Sequence, residues 1–400
     1  MREHAQDSHR GNLIHTMKII LLIATLLIAP AITASTSAAE PPGLTVADGK
    51  FLLAGKPVRA VGICYYDLFT RIAAKPENDS SLTGLRELAQ AGVPFVRFNA
   101  GGYSERDWEK YLQDKESHFA AMDRVVKAAE EAGIGLIPSL FWTPDLCHVA
   151  GEHKQAWGDP NSATLALMRD YTTELVGRYK SSPALWAWEF GNEWNLKVDL
   201  PNARELRRPG EDESDDLKSP QLATALGEFA RAVRAIDMTR PLITGHSLPR
   251  PAAWHNTREK SWAPDDRKQW EEILLRDAPS PFDTLGIHIY ADNEPREACG
   301  RWTTGWADYL KNLRDVATKN QRALFIGEFG LADGGKFSSE EVKTRYRGIL
   351  TAMQEAGVDL AAAWVFDLPS QSKDWSITFS NSRSYMLEDV IAANKEWMKR

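Results

Sequence analysis

From residue 58 onward, short apolar runs alternate with longer amphipathic stretches. The runs at 58–63, 94–99, 134–141, 186–192, 241–246, 283–290, 323–328 and 359–366 have the length of strands. They are rich in β-branched and aromatic residues. Between them, apolar positions recur at helical spacing over 80–91, 118–132, 163–180, 222–236, 265–277, 303–319, 339–356 and 384–399. Several of these stretches stop at a glycine, as at Gly92, Gly133 and Gly357. Eight strand-then-helix units in strict order predict an α/β fold. Its parallel sheet, with right-handed crossovers, closes as a (β/α)8 TIM barrel. Residues 43–57 read as an N-terminal β-hairpin with turn residues Asp48-Gly49 and Gly55-Lys56, placed to plug the bottom of the barrel. The extra length lies in long βα loops after strands 3, 4 and 5. The loop at 195–218 is densely charged and reads as a solvated segment.

The first residues pattern differently. Lys18 precedes the apolar run Ile19–Ile28, and small residues continue to Ala39. This predicts a signal peptide over 1–39 with cleavage near Ala39, and hence a secreted or periplasmic protein. Met17 reads as the true start, because residues 1–16 are polar. No cysteine stands near the cleavage point to carry a lipid. Residues 40–400 then form a single domain, with no repeat or low-complexity linker.

Composition changes this picture little. Of the 400 residues, 43% are hydrophobic and 26% charged, ordinary values for a globular chain. A net charge of −7 argues against a nucleic-acid partner. The outlier is tryptophan, at 14 residues. Indole faces stack on the C–H faces of sugars, although many of these rings must fill the core. The three cysteines, Cys64, Cys147 and Cys299, allow one disulfide at most. Cys64 and Cys147 fall at strand ends and could pair. No cysteine or histidine spacing fits a metal site.

The chemistry concentrates at strand ends. In Trp186–Asn195 (WAWEFGNEWN), alternation places Ala187, Glu189, Gly191 and Glu193 on one face, and Trp186, Trp188 and Phe190 on the other. A second apolar run ends similarly in Gly327-Glu328. Carboxylates at the C-terminal ends of barrel strands sit where such barrels do chemistry. Two of them flanking a glycosidic bond suffice to hydrolyse it. The bland reading makes Glu193 a loop cap and His246 a strand cap. Against it stands the company at the same rim: Arg97 and Asn99 from strand 2, Asn192 from strand 4, His246 from strand 5, His288 and Tyr290 from strand 6, and Trp364 from strand 8. A barrel interior holds few such groups without partners and a use. Glu189 also faces inward and needs a partner, for which Arg97 is placed.

The residues WEFGNE, IHIY, GEF and the strand-8 tryptophan resemble glycoside hydrolase family 5, the cellulase and β-mannanase-like barrels with catalytic glutamates after strands 4 and 7. The resemblance implies a retaining mechanism without metal or cofactor. Glu193 would be the acid/base and Glu328 the nucleophile. Asn192 would hold the sugar 2-hydroxyl, Tyr290 and Arg97 would keep Glu328 ionised, His288 would bound the site beside the acid, and Trp364 would floor it. Ionised Glu328 would keep the pKa of Glu193 high. Trp194 and His246 join as supporting or substrate-binding residues, and about half of the four loop aromatics Trp142, Trp194, Trp254 and Trp262 line the cleft. Three departures stand out: strand 3 ends without a histidine, Cys64 replaces a common asparagine, and Trp194 rather than proline follows the acid. The expected function is hydrolysis of a β-linked polysaccharide or oligosaccharide, a β-mannan or β-1,4-glucan first. The partner is carbohydrate, not nucleic acid or, after signal cleavage, a membrane, and the protein is expected to be a monomer. The rivals are a transglycosylase with the same carboxylates and a catalytically silent glycan-binding barrel.

Overall fold

The computed structural model describes residues 41–292 and 301–397. The expected signal peptide and Cys299 lie outside them. Three short strands come first: β1 (Leu44–Ala47), β2 (Lys50–Leu53) and β3 (Lys56–Pro57), paired antiparallel in chain order. Both tight turns carry positive φ at both central residues, Asp48-Gly49 at 51° and 69° and Ala54-Gly55 at 49° and 70°. That geometry matches the twist of the flanking strands. The second turn therefore sits one residue earlier than the glycine alone indicated, and the hairpin is a three-stranded meander. Leu44 and Phe51 are fully buried against Phe95, Trp186, Phe325 and Leu360. The meander plugs one end of the barrel, as the sequence predicted.

The barrel strands are β4 (Ala60–Cys64), β5 (Phe95–Asn99), β6 (Gly135–Phe141), β7 (Trp188–Gly191), β8 (Leu242–Ile243), β9 (Thr284–Tyr290), β10 (Ala323–Gly330) and β11 (Leu360–Ala363). They pair in parallel in the order β8-β7-β6-β5-β4-β11-β10-β9. Between β8 and β9 side chains close the ring. Thr284 Oγ1 donates to the Leu242 carbonyl at 2.8 Å, and Asp283 Oδ1 accepts from the Leu242 N–H at 2.8 Å. The eight helices expected between strands are present, within a few residues of their expected bounds. Among the described residues, four further short helices, Leu68–Ala74, Glu105–Gln113, Leu146–Val149 and Ala253–Glu259, occupy segments that read as loop. Among the described residues, no helix is long and apolar enough to cross a membrane.

Two irregularities shape the barrel ends. The β9–β10 register shifts between Ile326 and Glu328, where Gly327 is inserted as a bulge. Before it, Phe325 faces the barrel interior while Leu324 and Ile326 pack outward; after it, Phe329 packs outward. The bulge changes the phase of the alternation and so turns Glu328 inward. A Cβ at Gly327 would fall 2.8 Å from His288 Nε2, so any side chain there would have to push the His288 ring aside. The second irregularity is at Trp186. Alternation places it on the outer face of strand 4, but the strand begins only at Trp188, and Trp186 packs under the barrel beside Phe95. The loop at 195–218 is likewise not simply solvated. It contains three 3-10 turns, its Asp199 and Asp215 are buried, and ion pairs tie it to the loop after β6.

The C-terminal helix Ser384–Trp397 supplies a missing piece of sheet. In β4 only Ile63 and Cys64 pair with β5, so Val61 has no strand partner on that side. Asn394, almost fully buried, donates to the Val61 carbonyl and accepts from the Val61 N–H, both at 2.7 Å. Replacing Asn394 by Leu strands two buried backbone groups. It is expected to lower unfolding stability by about 2–4 kcal/mol, measured by chemical denaturation, whereas an exposed change on the same helix, Glu388→Gln, is expected to leave it nearly unaltered.

Candidate active site

Arg97 lies at the centre of the barrel mouth. It is fully buried, and its guanidinium makes three side-chain hydrogen bonds. Nε donates to Glu189 Oε2 at 2.7 Å, Nη1 to Glu328 Oε1 at 2.7 Å, and Nη2 to Asn192 Oδ1 at 2.9 Å. The ring of Trp142 covers it at 4.8 Å. The planar fork of an arginine suits this task, since one rigid group fixes residues from β5, β7 and β10 together. The expected Arg97–Glu189 pair is therefore formed. Burial still pushes the Glu189 carboxyl up, against the pull of Arg97.

Glu193 follows β7 in the left-handed region, at φ 53°. Backbone hydrogen bonds hold it there. Its N–H donates to the Gly245 carbonyl at 2.8 Å, and its own carbonyl accepts from Leu196 at 3.0 Å. Gly245 has φ 71°, and a Cβ on it would fall 1.8 Å from the Gly191 carbonyl oxygen. A non-glycine residue in this conformation costs of order 1–3 kcal/mol and persists where the surroundings over-determine it. The turn lifts the carboxylate out of the sheet toward the cleft.

The two glutamates meet across His288. Its Nδ1 lies 3.0 Å from Glu193 Oε1 and 3.5 Å from Glu328 Oε2. Tyr290 donates its hydroxyl to Glu328 Oε2. An oxygen of Glu193 and one of Glu328 lie within 4.8 Å of each other. These two carboxylates and His288 are close enough to share a cation, but Arg97 and Tyr290 already donate to both oxygens of Glu328. Around them opens a cleft of about 390 Å³. Trp142 and Trp364 line it with ring centroids 6.2 Å apart, and Trp364 Nε1 donates to Gln371 Oε1 at 2.9 Å.

The electrostatics differ from expectation at one point. Burial raises the Glu193 carboxyl, but hydrogen bonds from His288 and Ser247 and the charges of His288 and Arg97 outweigh it, and the group lies below its ordinary value. The expected rise, attributed to Glu328, is absent. Tyr290 itself is pushed well above the usual tyrosine range, by burial first and by Glu328 next.

A family model described as Cellulase (glycosyl hydrolase family 5) matches residues 56–367. The chain belongs to glycosyl hydrolase family 5. Solved structures agree on the fold. The endo-1,4-β-mannanase of Rhizomucor miehei aligns with TM-score 0.64 at 15% identity, over 90% of this chain and 100% of that one. The endo-β-1,4-mannanase of Thermotoga petrophila gives 0.60 at 16%, over 87% and 78%. The Thermobifida fusca endoglucanase Cel5A, solved with cellotetraose, gives 0.53 at 15%, over 87% and 96%. No curated protein matches the chain in sequence.

Within this family 5 barrel, Arg97, Asn192, Glu193, His288, Tyr290, Glu328 and Trp364 converge as the sequence placed them. Trp194 and His246 do not join them. The turn at Glu193 ends the strand alternation and sends Trp194 into the core, fully buried between Trp157 and Phe190, with Nε1 donating to the Phe141 carbonyl at 2.9 Å. His246 is buried outside the cleft because strand β8 is only two residues long and the chain has turned at Gly245. Its two ring nitrogens have no hydrogen-bond partner among the described residues, and burial lowers its pKa to about 3. Of the four loop tryptophans only Trp142 lines the cleft; Trp254 bonds Glu272 at 3.0 Å, and Trp262 is exposed elsewhere. Cys64 and Cys147 are free thiols, and Cys64 Sγ donates to the Gly327 carbonyl at 3.3 Å. Sequence reading missed Asp292, Gln371 and Trp375 on the cleft wall. A tryptophan in the polar segment after strand 8 was the one available signal; Gln371 gave none.

The His288 contact governs the proton on Glu193. In His288→Ala the donor is gone while burial remains, so the Glu193 carboxyl is expected to rise above the ordinary glutamate value. Carboxyl carbon titration by NMR measures it, and an unmoved titration would show that His288 does not set this group.

Proposed function

We propose that the protein is a retaining β-glycoside hydrolase acting on a β-linked polysaccharide or oligosaccharide, a β-mannan or a β-1,4-glucan first. The observation that carries this reading is the closeness of Glu193 and Glu328, one oxygen of each lying within 4.8 Å of the other and both within reach of His288 Nδ1, which fits the shorter of the two known spacings better than the longer. Retaining enzymes hold their carboxyl groups ~5–5.5 Å apart, and inverting ones ~6.5–9.5 Å, to leave room for a water.

In this mechanism Glu328 attacks the anomeric carbon while Glu193 gives its proton to the departing glycosidic oxygen. The C–O bond to the leaving sugar breaks and a glycosyl ester to Glu328 forms. Glu193, now a carboxylate, takes a proton from water, and the resulting hydroxide displaces Glu328 with net retention. Arg97 and Tyr290 stabilise the Glu328 anion before attack and after release. With its Oδ1 engaged by Arg97, Asn192 keeps its amide N–H groups for the sugar 2-hydroxyl. Trp364 and Trp142 offer apolar faces to the ring. Donation needs protonated Glu193, so its depressed pKa has to be reversed on binding. A glycosidic oxygen seated against the carboxyl competes with His288 and excludes water, and both effects favour the protonated form.

The mannanase and endoglucanase neighbours favour the same two glycans. The apolar segment before Ala39 completes the reading as an export signal, so that the enzyme meets its polymer outside the cytoplasm. The test is reducing-end release by the protein beginning at Glu40 from β-mannan, β-1,4-glucan and xylan. One polymer is expected to be cut, with Glu328→Ala lowering the rate by at least about a thousandfold. Equal rates from the variant would remove Glu328 from the chemistry, and binding of a polymer without any cleavage would favour a silent glycan-binding barrel.

A further inference from the structure

A second, larger cavity of about 560 Å³ opens at the barrel mouth beside the cleft. The loops after β6 and β7 build it, with Tyr103 from the segment after β5. Two features join it to the reacting centre. Lys197 in its wall lies one 3-10 turn beyond Glu193. A run of aromatic rings also leads from the cleft outward: Trp364 to Trp142 at 6.2 Å, Trp142 to Tyr66 at 4.9 Å, and Tyr66 to Tyr103 at 6.0 Å. Tyr103 is half exposed there.

The charges in this wall are nearly all matched. Lys154 pairs with Glu211 at 2.6 Å, Arg207 with Asp216 at 2.6 Å, and Arg208 with Asp145 at 3.2 Å. Asp215 is held by His153 at 2.9 Å. Lys197 is left over. It is exposed to the cavity, and its ammonium has no ion pair or hydrogen bond among the described residues. Burial lowers its pKa, as do the charges of Lys154 and Arg208, while Asp145 and Glu193 pull it back up. Neutral sugar hydroxyls leave that charge uncompensated, whereas a carboxylate completes the set.

We propose that this cavity is a subsite for a sugar bearing a carboxylate, with Lys197 pairing the carboxylate and Tyr103 presenting the face on which the ring stacks. The inference rests on the glycosidase reading and narrows its substrate to a β-glycan carrying uronate groups. An ammonium–carboxylate pair at such a partly open site gives preference, not absolute selection, and it weakens in salt.

The test compares manno- and cello-oligosaccharides with their C6-oxidised, uronate-bearing counterparts. Calorimetry on the Glu328→Gln protein reads binding, and turnover is read on the native one. The oxidised form of at least one pair is expected to bind about fivefold more tightly than its parent. That preference is expected to vanish in Lys197→Met and in 0.5 M salt, and to survive in Lys197→Arg. No preference in the native sequence, or a preference that persists in Lys197→Met, would overturn the subsite. If parent oligosaccharides are cut and the oxidised ones gain nothing, the subsite fails while the glycosidase reading stands. If no oligosaccharide binds or is cut, both fall.

Discussion

A guanidinium buried at the mouth of a barrel, out of reach of water, is tolerable only if its charge is balanced and each of its nitrogens has an acceptor. Arg97 meets that condition through Glu189, Asn192 and Glu328 at once. Much of the surrounding architecture depends on it. Glu189, a carboxylate deep in the interior, is bearable because it neutralises Arg97. Glu328 is fixed by two donors, Arg97 on one side and Tyr290 on the other, which occupy both of its oxygens. Asn192 is oriented by the same fork. Taking away one member of such a set leaves an uncompensated charge, so the network specifies one arrangement of three strand ends.

The two glutamates are thereby given different surroundings. Glu328 is almost completely buried and fully engaged, whereas Glu193 stands on a left-handed turn, partly open to the cleft and answered mainly by His288. This asymmetry suits the acid and the nucleophile of the proposed mechanism. One carboxylate must stay charged and fixed, and the other must gain and lose a proton as its neighbours change. In the absence of sugar, His288 favours the ionised form of Glu193. On the proposed mechanism its protonation therefore changes when sugar binds.

The barrel was legible in the chain because each buried strand is a short apolar run and each helix an amphipathic stretch. The site was legible because its polar residues interrupt those runs near their ends, where a packed interior has no other use for them. Illegible features share a cause: they depend on where alternation stops. Trp194 went to the core because Glu193 leaves the strand through positive φ. His246 was lost because β8 ends after two residues. Glu328 points inward only because Gly327 adds a bulge, and simple alternation from Phe325 would have turned it out. The depressed pKa of Glu193 could not be read at all, since it depends on a contact between residues far apart in the chain.

On the proposed mechanism Glu328 becomes covalently bound to sugar while Glu193 handles the proton. The most direct measurement is mass spectrometry of peptides after incubation with 2-deoxy-2-fluoro-β-mannosyl and β-glucosyl fluorides, whose glycosyl esters form but hydrolyse slowly. One sugar adduct is expected, on the peptide carrying Glu328, and none in Glu328→Gln. An adduct on Glu193, or consumption of the fluorosugars with inversion and no labelled peptide, would contradict it.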